Sequence, residues 1–107
     1  MIKASIFYPN TEGARFDMDY YLRRHMPMSI ELLSAARGFR GVSVERGVGG
    51  AGPGLPPTYV AMCHYLFDSV EEFVAAFQQH AAHLQGDIAN YTDIPAVIQF
   101  SAVELTR

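Results

Sequence analysis

His25 is the residue in this chain best suited to moving a proton. An imidazole titrates near neutrality, so a histidine fixed at the edge of an apolar pocket can act as general base or general acid. Tyr21 stands four residues earlier, which puts both side chains on one helix face. Its hydroxyl can donate to a substrate carbonyl or enolate; equally, it can be core packing with a satisfied hydroxyl. Pro27 lies just after His25, removes one backbone donor and leaves a carbonyl nearby without its usual partner. A histidine N–H bonded to that carbonyl either presents the ring to a ligand or simply caps the kink.

Other polar residues carry weaker chemistry. His64 lies between Met62 and Leu66 in a strand-like run, where it is a pocket group, an interface residue or a buried hydrogen-bonded histidine. Gln99, in the last strand-like segment, can orient a polar ligand or pair across a dimer. Asp93 precedes Ile94-Pro95; aspartate there also serves as ordinary turn chemistry. His80, His83 and Asp87 recur at helical spacing, which can gather metal ligands, but there is no HExxH and a solvated polar face is the simpler account. Cys63 has no base near it in sequence and reads as core. The glycine-rich run Gly47–Gly54 lacks the Gly-Lys-Ser/Thr ending of a phosphate loop and reads as a mobile lid or plain loop; no cofactor is expected.

The elements that must position these residues emerge from periodicity. Ile2–Tyr8 alternates, with Ile2, Ala4, Ile6 and Tyr8 on one side and Lys3, Ser5 and Phe7 on the other. Asp17 caps a helix expected as two pieces, Asp17–His25 and Pro27–Ala36, broken at Met26. Phe39–Val48 and Thr58–Phe67 read as strands joined by a loop rich in glycine and proline. Ser69 and Glu72 form a capping box, succeeded by an apolar stripe through Val70, Phe73, Phe77 and Leu84. Pro95–Thr106 is the last strand. Two strand–helix–strand units joined by a hairpin give a single α+β domain over residues 1–107, ferredoxin-like, with a four-stranded antiparallel sheet and two helices on one face.

The chain has 107 residues, half of them hydrophobic and 18% charged, with net charge −3. Such a short domain benefits from association. The Thr58–Phe67 strand is apolar on both faces, and helices can cover only one. A homodimer through the open sheet face would cover the other. Arg23-Arg24 is the longest run of positive charge, so no nucleic-acid or membrane partner is expected. One cysteine and no signal-peptide pattern point to the cytoplasm.

The segment Phe16-Asp17-Met18-Asp19-Tyr20-Tyr21-Leu22-Arg23-Arg24-His25-Met26-Pro27 resembles the signature of the EthD family. Tyr91-Thr92-Asp93-Ile94-Pro95-Ala96-Val97-Ile98-Gln99 is similar to that family's C-terminal pattern, with Asp93 at its acidic position. The resemblance implies a dimeric α+β barrel. The group is named for bacterial degradation of ethyl tert-butyl ether beside a cytochrome P450 system, and fungal relatives are dehydratases or decarboxylases in polyketide pathways. It implies a small hydrophobic ligand, aromatic, polyketide-like or xenobiotic. On that reading either His25, Tyr21 and Asp93 run cofactor-independent acid–base chemistry, with His64 and Gln99 binding substrate, or the protein is a non-catalytic accessory to an oxygenase pathway.

Overall fold

Alternating side chains in Ile2–Pro9 form the first strand, β1. The computed structural model describes all residues, 1–107. Asp17 then caps a short helix, α1 (Met18–Tyr20), by accepting from the Tyr20 N–H at 3.0 Å. A π turn over Tyr21–His25 continues into α2 (Met26–Ser34). Strands β2 (Phe39–Arg46) and β3 (Tyr59–Phe67) come next. Two further helices, α3 (Val70–Gln79) and α4 (Ala81–Gly86), precede a 3₁₀ turn at Ile88–Asn90 and the last strand, β4 (Val97–Ala102). The sheet is antiparallel, in the order β2-β3-β1-β4.

The helices lie on one face. Ala4 and Tyr8 of β1 and Ala61, Cys63, Tyr65 and Phe67 of β3 are buried there with Tyr21, Leu33, Phe73 and Leu84 from the helical side. The opposite face carries Lys3, Ser5 and Phe7 beside Met62, His64 and Leu66, in register across β1 and β3. No element of the chain covers it. The ferredoxin-like α+β architecture is thus as expected, and no helix is long and apolar enough to cross a membrane.

Besides shifts of one or two residues at strand ends, three features differ from those expected of the sequence. The first helix is not broken at Met26: the backbone stays right-handed helical through Tyr21, His25 and Met26. Pro27 is absorbed instead by the π turn, in which the Met26 N–H reaches back to the Tyr21 carbonyl. A proline ring crowds the carbonyl four residues back, and a wider turn gives it room. The second apolar stripe is interrupted at His80, whose φ of −121° and ψ of 14° separate α3 from α4. Strand β4 is shorter than Pro95–Thr106. It is also a sheet edge, and its helix-side residues Ile98 and Phe100 remain 59% and 42% exposed.

Candidate functional site

The π turn decides what His25 meets. In an α-helix residues advance about 100° each, so Tyr20 and His25, five apart, would diverge by about 140°. A turn closed by bonds five residues apart brings them toward the same side. Both then reach one carboxylate. His25 Nδ1 lies 2.9 Å from Asp87 Oδ2, and the Tyr20 hydroxyl donates to Asp87 Oδ1 at 2.7 Å. The Asn90 amide also donates to Asp87 Oδ1, at 3.0 Å. Burial alone would raise the Asp87 carboxyl, but hydrogen bonds from Tyr20, Asn90 and His25 outweigh it and hold it below its ordinary value.

An ionised carboxylate only accepts, so His25 Nδ1 carries the proton and Nε2 is the bare nitrogen. Nε2 faces the Tyr91 hydroxyl at 3.5 Å, and that hydroxyl pairs with the Tyr8 hydroxyl at 2.7 Å. His25 thus donates to Asp87 and its Nε2 can only accept; when the Tyr91 hydroxyl turns to that nitrogen, Tyr91 takes its own hydrogen bond from Tyr8. Burial raises both the Tyr8 and Tyr91 hydroxyls above their ordinary range, so both remain donors. Burial also lowers His25 below 6.5, opposed by Asp87. The imidazole is neutral at pH 7.

His25, Tyr8 and Tyr91 line a cavity between the sheet and the helices, with a volume of ≈ 110 Å³. Its walls are mostly apolar, including Ile6, Leu33, Phe73, Phe77 and Leu84. Ser29 and Tyr65 also line it, with their hydroxyls paired to each other. Gln85, Ala96 and Ile98 are its exposed lining residues and mark its mouth.

The residues singled out from sequence do not all converge here. Tyr21 stacks on His25, with ring centroids 5.7 Å apart and planes 13° apart, but it is 1% exposed and does not line the cavity. Burial holds its hydroxyl far above the ordinary tyrosine range. The Asp93 carboxylate accepts from the Arg15 N–H at 2.8 Å in an exposed turn. His64 and Gln99 lie on the opposite sheet face, flanking Ser5 in register. The Ser5 hydroxyl is 2.7 Å from His64 Nδ1. Glu45 Oε1 is 3.3 Å from His64 Nε2, close enough for an ion pair but out of line for a hydrogen bond. Cys63 is core, its thiol pushed up to about 12 by burial.

The bond from His25 to the carbonyl freed by Pro27, expected from sequence, does not form; its partners are Asp87 and Tyr91. The helical register His80–His83–Asp87 is lost at the His80 break, and Asp87 turns to His25 instead. Asp87, Tyr91, Tyr8 and Tyr20 are the residues that sequence reasoning missed as a group. One signal was available: the two distinctive segments, residues 16–27 and 91–99, pack together. Phe16 bridges Thr92, the Asp17 N–H bonds the Tyr91 carbonyl at 2.7 Å, and the Thr92 hydroxyl bonds the Arg15 carbonyl at 2.7 Å.

This combination defines a ferredoxin-like α+β protein with a histidine–carboxylate pair at an apolar cavity. The EthD domain family matches residues 11–95, and the chain belongs to that family. The crystal structure of an EthD-like protein from Ralstonia eutropha JMP134 is 50% identical, with a TM-score of 0.92 over 99% of this chain and 94% of that one. An ethyl tert-butyl ether (EthD) family protein from Bacillus halodurans C-125 is 18% identical, with a TM-score of 0.71 over 96% and 98%. A DABB family protein with a ferredoxin-like fold from Mesorhizobium loti MAFF303099, 14% identical with a TM-score of 0.60 over 98% and 97%, shares the fold. No curated protein matches the chain significantly.

Proposed function

We propose that this EthD family protein binds a small hydrophobic molecule in the cavity between sheet and helices and moves a proton on it without a cofactor. The carrying observation is His25: a neutral imidazole that lines an apolar cavity, with Nδ1 held at 2.9 Å by Asp87 and Nε2 left as the acceptor. His25 is the proton acceptor, and the protonated hydroxyls of Tyr91 and Tyr8 supply hydrogen bonds to negative charge developing on the ligand. Tyr21 supports the ring of His25 by stacking. Asp93 fixes the turn that holds Tyr91 against the first helix.

The protein works as a homodimer in this reading. Phe7, Met62 and Leu66 are half-buried on a sheet face that no helix covers, and Val97 beside them is 51% exposed. A second copy buries them and places His64 and Gln99 in the interface.

The decisive experiment is His25→Gln on turnover of a true substrate. We expect a loss of about 10²–10⁴-fold, the range for a general acid–base group, with folding retained by circular dichroism. Unchanged turnover removes His25 from the chemistry, whereas a bound ligand that the wild type does not turn over leaves a binding or accessory protein for an oxygenase pathway. That second reading has one observation in its favour: besides His25, the cavity lining holds no histidine or carboxylate to return the proton near neutral pH.

A further inference from the structure

We infer that the ligand of this cavity is an uncharged molecule of about one ring that carries a single weakly acidic hydrogen, as a phenol or an enol does. The inference rests on the reading of His25 as the proton acceptor and adds three limits: size, charge and the position of the polar group.

Size is set by the volume. The space is ≈ 110 Å³, whereas an engineered apolar cavity of about 150 Å³ takes benzene. The open mouth at Gln85, Ala96 and Ile98 gives a single ring some margin. A second fused ring would crowd the apolar wall, of which Phe77 and Leu84 are part. Of the ligands the family resemblance implies, a single aromatic ring therefore suits the cavity better than a multi-ring polyketide.

Charge is set by the lining. No lysine, arginine, aspartate or glutamate is among its residues. A carboxylate ligand would lose its water and meet no cation, at a large desolvation cost. The Asp87 carboxylate, bonded to the lining residue His25, adds a negative charge that repels an anion.

The polar position is set by which groups remain unsatisfied. Ser29 and Tyr65 satisfy each other. Nε2 of His25 has only the long 3.5 Å contact with Tyr91, so it is the acceptor with most to gain from a ligand hydrogen. In the step, the ligand O–H or C–H bond breaks and an N–H bond forms at Nε2. The electron pair stays on the ligand, and Tyr91 turns its hydroxyl toward the resulting oxyanion. The imidazolium is held against Asp87, and no oxidant or reductant is required.

Calorimetric titration of the full chain near neutral pH tests this with four probes: phenol, toluene, benzoate and 2-naphthol. Phenol binds, and toluene, lacking the acidic hydrogen, binds more weakly. Benzoate and 2-naphthol bind weaker than phenol by about ten-fold or more, from desolvated charge and excess volume respectively. Phe77→Ala enlarges the cavity and recovers 2-naphthol binding. Benzoate or 2-naphthol binding the wild-type protein as tightly as phenol overturns the ligand class, as does absence of phenol binding. Phenol bound equally well by wild type and His25→Gln instead overturns the role of His25 itself, which separates the two failures.

Discussion

Asp87 Oδ2 stands 2.9 Å from His25 Nδ1, joining residues 62 positions apart in the chain. The contact sets the tautomer of the imidazole and stabilises its protonated form once a proton arrives. Two opposed influences act on His25: burial lowers its pKa, and the Asp87 carboxylate raises it.

Asp87→Asn removes the raising influence. The His25 midpoint, already below 6.5, moves lower still, which nuclear magnetic resonance of the ring protons will track. The asparagine amide can also donate to Nδ1 and favour the wrong tautomer, so turnover falls by about 10²-fold. In the wild type the base is neutral above its own midpoint and is lost as pH falls through it, so the acid limb of activity lies below 6.5. Between that midpoint and 6.5 the unfolded chain binds the proton first, so this group reduces stability as pH drops. A His25 titration unchanged by Asp87→Asn contradicts the pairing.

Ser29 and Tyr65 are both buried, and each hydroxyl is the other's partner. Ser29→Ala strands the Tyr65 hydroxyl and costs about 1–3 kcal/mol in denaturant unfolding. Tyr65→Phe with Ser29→Ala removes both polar groups, and the double variant costs less than the sum of the two single ones. Strict additivity would show that the two hydroxyls do not interact.

The open sheet face gives a prediction about mass. Sedimentation at micromolar concentration should return twice the 11.9 kDa chain mass. Met62 pairs in register with Glu45 on one side and Phe7 on the other. Met62→Glu therefore places like charges side by side on the face to be buried, and the variant should sediment as a monomer with its helical signal intact. A monomeric wild type removes the dimer from the proposal.

The fold was legible because its signals are local. Alternation in Ile2–Tyr8 and the Ser69–Glu72 cap depend on neighbours a few residues away, and the Ser69 hydroxyl does accept from the Glu72 N–H at 3.2 Å. The face of each residue in β1 and β3 came out as the alternation required. The site was half legible. His25 stood out by type and by its place before Pro27, but its partners come from across the molecule. Nothing near Asp87 in sequence says that its carboxylate will meet His25, 62 positions away. Tyr20 was not legible for a geometric reason: regular helical spacing sends it away from His25, and the π turn brings it back.

A π turn is an α-helix carrying one surplus residue, and here the surplus acts as a phase correction. Five steps from Tyr20 to His25 do the angular work that four steps do in a regular helix. Losing exposed Arg23 would therefore leave Tyr20 four positions before His25, still on its side, and a regular helix could carry both to Asp87. Tightening the turn with all its residues kept would instead swing Tyr20 about 100° away and cut it off from that carboxylate. The alignment of the proton acceptor thus tolerates a shorter helix better than a straighter one.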